Sequence, residues 1–237
     1  PYIWLKVPES PVWLAARANQ QSVALLPTIR RHWKLCLYLV LVMACFNFFS
    51  HGTQDLYPTF LKVQHGFTPQ TVSTIAIFYN IAAMLGGVFF GVISENIGRK
   101  KAMMIAAFLA LPVLPLWAFS TGSVTIGVGA FLMQFMVQGA WGVVPTWLNE
   151  LVPANARAVL PGFVYQLGNL IASVNATLPA TIAEHNGGNY GMAMAIVAGT
   201  VAVLICVFVA FGRETRGMVM NASNEAPQRG ASQHSAH

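Results

Sequence analysis

The sequence has 237 residues, of which 56% are hydrophobic and 8% are charged, against about 25% charged residues in soluble domains. This composition excludes a soluble globular protein and predicts an all-α integral membrane protein, because the apolar runs are continuous and do not alternate as in a β-barrel. The formal net charge of +6 is carried mainly by basic residues between the apolar runs, a topology signal that does not indicate nucleic-acid binding.

A bundle of six transmembrane helices is predicted for residues 34–217, flanked by two less apolar segments. Residues 1–33 are expected to hold the end of a preceding span and a linker, since the sequence opens inside an apolar stretch without an initiator Met. This opening indicates a fragment of a longer protein. Residues 218–237 are rich in small and polar residues and are expected to form a disordered cytoplasmic tail.

The predicted spans follow the uncharged runs. The first lies at about 34–62, where roughly 27 residues between two lysines allow about 40 Å of helix, and Pro58 is expected to kink its second end. The stretch 102–149 contains no charged residue and is long enough for two spans joined by a turn at 120–123. The remaining spans are expected at about 69–94, 158–183 and 190–212.

The second span carries signals for its start and for its packing. Thr68 is placed to cap the helix, and Pro69 suits the first helical position because its missing N–H would have no partner there. Gly86, Gly87 and Gly91 form a small-residue face. Such a face favours close contact with a neighbouring helix.

The basic residues lie almost entirely on one side of the predicted bundle. With six spans both termini share a side, and the opposite loops hold only Lys62. The positive-inside rule makes the basic side cytoplasmic, so we expect a multi-pass protein of the plasma (cell inner) membrane with both termini in the cytoplasm. The basic residues on that side are Arg17, Arg30, Arg31, Lys34, Arg99, Lys100, Lys101, Arg157, Arg213 and Arg216.

A polar stripe interrupts the apolar first span. Its members are spaced by four residues and therefore share one face of a helix, with two further polar residues beside them. The stripe consists of Asn47, His51, Asp55 and Thr59, and Ser50 and Gln54 flank it. A carboxylate and an imidazole inside a membrane are costly to place and generally face a cavity or pathway. We therefore predict that the stripe lines a central cleft.

Asp55 is the only acid predicted to lie well inside the bilayer. A carboxylate in a low-dielectric cavity can take up and release a proton near neutral pH. His51 can share that proton or place a positive charge opposite an anionic substrate. The alternative for this pair is a structural role in helix packing, and for Asn47, Ser50 and Gln54 it is hydrogen bonding between helices.

The fifth span offers a second polar pair. Gln166 and Asn169 lie one turn apart and are expected to bind substrate from the same cleft, although a hydrogen bond between helices is an equal alternative. Five other polar or aromatic residues are weaker candidates, and a lone Trp in a helix commonly serves packing alone. These residues are Tyr79, Asn80, Gln134, Gln138 and Trp141.

Metal, nucleotide and protease chemistry find no support in the sequence. Cys36, Cys45 and Cys206 fall inside apolar runs without metal-ligand spacing. There is no G-x-x-x-x-G-K-[ST] phosphate loop and no H-E-x-x-H metalloprotease motif. We therefore expect no metal, no cofactor and no enzymatic activity.

Three polar turns resemble sequences of the major facilitator superfamily. Residues 91–101, G-V-I-S-E-N-I-G-R-K-K, resemble its cytoplasmic signature loop G-x-x-x-D/E-R/K-x-G-R-K/R, with Asn96 in place of the usual basic residue. Residues 150–157 resemble its acid-x-x-Pro…Arg turn, and 8–11 and 213–217 resemble the exit sequences after the last span of each half. The resemblance implies the central linker and the C-terminal six helices of a twelve-helix transporter, whose N-terminal six-helix half is missing here.

The same resemblance implies a gating role for charged residues in these turns. Ion pairs among them would latch helix ends in the outward-open state and break as the carrier turns inward. The residues are Glu95, Gly98, Arg99, Lys100, Glu150 and Arg157. The alternative is a solvated cytoplasmic surface, because exposed ion pairs stabilise a protein by only ~0–1 kcal/mol.

The polar stripe has a more specific resemblance. Residues 47–59, N-F-F-S-H-G-T-Q-D-L-Y-P-T, resemble the signature N-x-x-[ST]-H-x-[ST]-Q-D-x-x-x-T of proton-coupled monocarboxylate (lactate/pyruvate) permeases, the Jen-like branch of the sialate–proton symporter family. Residues 165–170 resemble that branch too, where the Gln is implicated in substrate recognition. The branch also has a substrate-binding Arg, which would lie in the missing half.

This resemblance implies proton-coupled symport of a small monocarboxylate, such as lactate or pyruvate, by alternating access. His51 and Asp55 are then the proton-coupling residues. The implied partners are a small organic anion, protons, the lipid bilayer and the N-terminal half. Alternative hypotheses are a symporter for sialic acid or another organic acid, and a non-transporting membrane sensor with the same fold. The residues implied in substrate binding are Asn47, Ser50, His51, Gln54, Asp55, Gln166 and Asn169.

Overall fold

A computed structural model describes residues 25–153, 156–157 and 159–217, and these residues form helices joined by short turns. The helices are α1 (Leu25–Arg31), α2 (Trp33–Gln54), α3 (Tyr57–Val63), α4 (Pro69–Ile97), α5 (Arg99–Phe119), α6 (Ser123–Leu151), α7 (Leu160–Ala172), α8 (Leu178–His185) and α9 (Tyr190–Phe211), with a 3₁₀ turn at Ser173–Ala176. Of the segment 1–33, predicted as the end of a span and a linker, only residues 25–33 are described, and they include the helix α1. The tail predicted at 218–237 lies outside the described residues.

Five helical segments of the described chain are long and apolar enough to cross a membrane: Trp33–Val63, α4, α5, α6 and α9. The fifth predicted span, 158–183, is divided into α7, the 3₁₀ turn and α8. Pro179 in the first turn of α8 accounts for the division, because in a continuous helix its ring would clash with the carbonyl of Asn175 and it has no N–H to donate. The fifth predicted span is therefore built from two shorter helices, and a count of six spans stays a prediction.

The first predicted span is also broken, at Asp55 and Leu56, within its polar stripe. The helix α2 ends at Gln54, and α3 restarts at Tyr57 with Pro58 in its first turn. Proline at this position prevents a helical hydrogen bond to the carbonyl of Gln54. The kink expected from Pro58 is thus a two-residue break directly beside the predicted proton-coupling pair.

The main helix contacts join both consecutive and sequence-distant helices. α2 packs on α7 and α9, α4 packs on α6, and α5 packs on both α6 and α9. The start of α4 is as predicted, since the Thr68 hydroxyl accepts a hydrogen bond from the Thr71 N–H at 3.3 Å and Pro69 follows it. Trp117 and Trp147 are among the largest fully buried side chains. This packing leaves one side of α2 with half-exposed polar groups.

Close contact between α4 and α6 depends on glycine. A Cβ at Gly86 would overlap the backbone carbonyl of Phe135, and a Cβ at Gly142 would lie 2.9 Å from the Cα of Gly87. Gly91, the third member of the predicted small-residue face, has nothing within 4 Å of such a Cβ. The close approach therefore uses Gly86 and Gly87 but not Gly91.

Gly86→Ala is expected to lower the free energy of unfolding by about 1–3 kcal/mol, because the added methyl group must push α4 away from α6. Gly91→Ala is the matched control and is expected to be neutral or to stabilise the helix by up to about 1 kcal/mol. Thermal unfolding in detergent measures both. Equal losses of stability in the two variants would contradict the packing described here.

The two ends of the bundle differ in charge. We call the end where α5 begins and α6 and α9 finish the basic end, because Arg99, Lys100 and Arg213 lie there. At the opposite end the Gln64 side chain accepts a hydrogen bond from the Gly191 N–H at 3.1 Å, which ties α3 to the start of α9.

His65 also lies at the opposite end, in the turn between α3 and α4. Its ring meets Phe60 edge-on, with centroids 4.7 Å apart, and burial lowers the pKa of His65. The lowered pKa favours the neutral imidazole of His65 near pH 7.

Candidate functional site

His51 and Asp55 form a contact pair at the break between α2 and α3. The His51 Nδ1 atom lies 3.3 Å from Asp55 Oδ2, and the two side chains are 47% and 48% exposed. They are thus open on one side and not sealed in a dry helix contact. Because ionisable side chains facing hydrocarbon are costly, we expect this side of α2 to adjoin water or another polar surface.

A buried amide network holds the same turn of α2 against α6. Gln134, 1% exposed, donates to the Thr53 hydroxyl at 3.1 Å and accepts from the Gln54 amide at 2.8 Å. The Thr53 hydroxyl in turn donates to the Phe49 carbonyl at 2.8 Å. One buried glutamine therefore fixes the position of the residues immediately before Asp55.

A second glutamine repeats this arrangement one turn away. The Gln138 amide donates to the Ser50 hydroxyl at 2.9 Å, and both side chains are half-buried. Ser50 and Gln54 thus make the hydrogen bonds between helices that were the alternative to substrate contact. Each keeps part of its surface open.

Asn47 departs from the predicted stripe. Its side chain is 1% exposed and its Nδ2 has no hydrogen-bond partner among the described residues. It therefore lies inside the helix packing and not on the open side in this conformation. A buried donor without a partner costs about 1–3 kcal/mol of free energy. A hydrogen-bond acceptor placed next to Asn47 Nδ2 would therefore be stabilising.

Asn175 is a polar group that sequence reasoning missed. It lies in the 3₁₀ turn after α7, is 2% exposed, and both amide atoms lack partners in the described part of the chain. A Cβ at Gly52 would lie 3.3 Å from its Oδ1. The sequence signal for the division between α7 and α8 was an asparagine four residues before Pro179 in an apolar run.

Gln166 and Asn169 lie on α7, which packs beside α2, but at a different level from the His51–Asp55 pair. Gly168 contacts Met43 and Ala44 of α2, which precede His51 by roughly 11 Å of helix. Gln166 is exposed and Asn169 is half-buried. The second polar pair therefore lies closer to the basic end than the first.

Four of the five weaker candidates lie in three different settings. Gln134 and Gln138 belong to the amide network, and Tyr79 packs edge-on against Tyr57 just beyond the break, with ring centroids 6.1 Å apart. Asn80 donates to the Ala76 carbonyl of its own helix at 2.7 Å and is exposed. Asn80 is thus bonded within α4 and apart from the network.

At the basic end, Arg99 and Glu150 form an ion pair. Arg99 Nη2 lies 3.3 Å from Glu150 Oε1, and the side chains are only 15% and 8% exposed. Arg99 Nη1 also donates to the Ser94 hydroxyl at 2.7 Å, and the Thr215 hydroxyl donates to the second oxygen of Glu150. The pair is largely buried, unlike a solvated surface pair, and Arg99 Nε has no hydrogen-bond partner among the described residues.

Glu214 ties the end of α9 to the start of α5. Its carboxylate accepts hydrogen bonds from the backbone N–H groups of Arg99 at 2.9 Å and Lys100 at 3.3 Å. Gly98 has φ +103°, and a Cβ there would lie 2.6 Å from Glu214 Oε2. The Lys100 ammonium donates to the Ala210 carbonyl at 2.8 Å. The negative charge of Glu214 thus lies at the N-terminus of α5, and the positive charge of Lys100 lies at the C-terminus of α9. The helix dipole favours each of these charges at that end.

The gating residues predicted from the sequence are only partly brought together. Gly98, Arg99, Lys100 and Glu150 meet, and Ser94, Glu214 and Thr215 join them. Within the described residues Glu95 is exposed and makes no ion pair, and Arg157 donates to the Asn149 carbonyl at 2.9 Å. The exit sequence at 213–217 was the signal for Glu214, but its spacing alone did not reveal the partner.

Comparison with known proteins places this geometry in context. The family model described as Major Facilitator Superfamily matches residues 37–235. A carboxylic acid transporter protein homolog of Saccharomyces cerevisiae is 34% identical over 86% of the chain and 36% of its own length. The sialic acid transporter NanX of Escherichia coli is 24% identical over 93% of the chain and 54% of its own length.

A cis,cis-muconate transport protein of Acinetobacter baylyi is 22% identical over 84% of the chain. That match covers 50% of the relative's own length. The chain therefore spans about a third to a half of the length of these curated relatives. The names of these three relatives all refer to the transport of organic acids.

Proposed function

The chain belongs to the Major Facilitator Superfamily, and on that premise we propose that it is the C-terminal half of a carrier that couples protons to a small monocarboxylate. The chain is a membrane transport protein and not an enzyme. The observation that carries the proposal is the half-exposed His51–Asp55 pair, 3.3 Å apart inside a membrane span. Lactate or pyruvate is the proposed substrate.

Coupling follows from competition for His51. While Asp55 is ionised, its carboxylate is in contact with the His51 imidazole and attracts it. When Asp55 takes up a proton, that attraction ends and a substrate carboxylate can replace it at His51. Proton binding at Asp55 and anion binding at His51 therefore favour each other, as linkage requires. The loaded site carries one proton and one anion, so its net charge is unchanged.

Alternating access supplies the movement. In this fold two halves of six spans rock about a site near the middle of the membrane, and we propose that an N-terminal half closes the open side of α2. The basic end is proposed to face the cytoplasm by the positive-inside rule. Arg99, Glu150 and Glu214 would then hold the cytoplasmic ends of α5, α6 and α9 together while the cleft opens outward.

Uptake by the full-length carrier in proteoliposomes tests the proposal. With the outside acidic, we expect labelled lactate to accumulate, and we expect a protonophore to abolish the accumulation. Unlabelled pyruvate and acetate should compete. Failure of a proton gradient to drive any accumulation of lactate or pyruvate would contradict proton-coupled monocarboxylate symport.

Sialic acid is the second candidate substrate, favoured by the match to a protein named as a sialic acid transporter. The same assay separates the two. Competition by sialate and not by pyruvate would assign the carrier to the larger sugar acid. Binding of either acid without exchange across the membrane would instead support a sensor.

A further inference from the structure

Three aromatic rings from three helices form a layer beside the amide network. The ring centroid of Trp141 on α6 lies 5.8 Å from that of Phe46 on α2 and 6.0 Å from that of Tyr165 on α7. Phe46 is 1% exposed, whereas Trp141 and Tyr165 are half-buried. Packing on two sides restrains the indole, and its remaining surface stays open.

The position of this aromatic layer is set by the residues next to it in each helix. Trp141 follows Gln138 by one turn, and Phe46 precedes Ser50 by one turn, so both rings lie on the basic-end side of the Gln138–Ser50 hydrogen bond. Tyr165 directly precedes Gln166. The layer therefore lies between the His51–Asp55 level and the basic end, at the level of Gln166.

We infer that Trp141, restrained between Phe46 and Tyr165, sets the upper size limit of the carboxylate that this carrier moves. The inference rests on the proposed function. On the proposed function, a carboxylate that moves from His51 toward the basic end would pass the level of Trp141, whose ring is only partly buried. A rigid ring restrained on both sides admits a short carbon chain and excludes a longer one by steric clash.

Exchange measurements with 2-hydroxy acids of increasing chain length test this role. Proteoliposomes with the full-length carrier are loaded with labelled lactate, and efflux is started by external lactate, 2-hydroxybutanoate or 2-hydroxyhexanoate. In the unmodified carrier the exchange rate should fall steeply with length. Trp141→Ala should raise the 2-hydroxyhexanoate-to-lactate rate ratio roughly tenfold or more, the scale on which a pocket discriminates single methylene groups.

Two further variants keep the result interpretable. Trp33→Ala removes a Trp that is 55% exposed at the start of α2 and should leave the ratio unchanged. Trp141→Phe keeps a ring between Phe46 and Tyr165 and should raise the ratio by a smaller factor, about threefold, even if the Ala variant does not fold. An unchanged ratio in a Trp141→Phe or Trp141→Ala variant that still exchanges lactate would overturn the size limit. Absence of lactate exchange in the unmodified carrier would overturn the proposed function and this inference with it.

Discussion

Asp55→Asn is expected to abolish proton-driven accumulation of lactate in the full-length carrier. Asparagine has nearly the same shape and can still hydrogen-bond to His51, but it carries no ionisable proton. A gradient of one pH unit stores about 1.4 kcal/mol per proton, enough for a roughly tenfold accumulation by one-to-one symport. The variant should reach an accumulation ratio of about 1, with exchange of lactate for lactate retained, because exchange needs no net proton movement.

Glu184→Gln is the matched control for this charge removal. Glu184 is exposed near the end of α8, whose main contacts are with α9 and the 3₁₀ turn. Its accumulation ratio should equal that of the unmodified carrier. Persistence of a tenfold gradient in Asp55→Asn would show that the proton travels by another group, and the coupling mechanism proposed here would be wrong.

Glu150→Ala is expected to give the largest loss of stability at the basic end. It leaves the guanidinium of Arg99, which is 15% exposed, without its carboxylate partner, and it removes the acceptor of the Thr215 hydroxyl. Breaking a buried ion pair from one side costs about 3–5 kcal/mol, and the lower figure applies because Arg99 keeps Ser94. Thermal unfolding in detergent should show a clear fall in Tm.

The same change should also shift the resting conformation. If the Arg99–Glu150 ion pair holds the basic end closed in the outward-open state, loss of this pair should favour opening of that end. Labelling of a cysteine introduced near Arg213 can measure the opening. Glu95→Ala is the comparison, since Glu95 is exposed and its change should fall within about ±0.5 kcal/mol. Equal effects of the two substitutions would contradict a latch centred on Arg99 and Glu150.

Local features were predictable because they depend on neighbours in sequence. Thr68 and Pro69 begin α4 as expected, since capping and proline placement act within one turn. The turn at 120–123 separates α5 from α6 where the uncharged run becomes too long for one span. The pairing of His51 with Asp55 follows from a spacing of four residues on one helix face.

Contacts between distant segments were not predictable in this way. Glu214 reaches the backbone of Arg99 across 115 positions of sequence, and no spacing rule connects them. Asn47 shares the stripe of His51 by spacing, yet the packed helices bury it and leave His51 half-exposed. A residue's angle around its own helix is local, but the neighbour it meets depends on how helices pack.

The sequence by itself determined that this is a helical membrane protein, where several spans begin and end, and which span carries an acid beside a histidine. Hydropathy and helical periodicity depend on residues within a few helical turns, so both can be recognised in the sequence without knowledge of the tertiary structure. Only the tertiary structure decided that Gln134 and Gln138 secure that span, that Gln166 lies at another level, and that Glu214 joins the buried pair at the basic end. These outcomes depend on the register between helices, which is set by side-chain packing and close glycine contacts, not by any single segment.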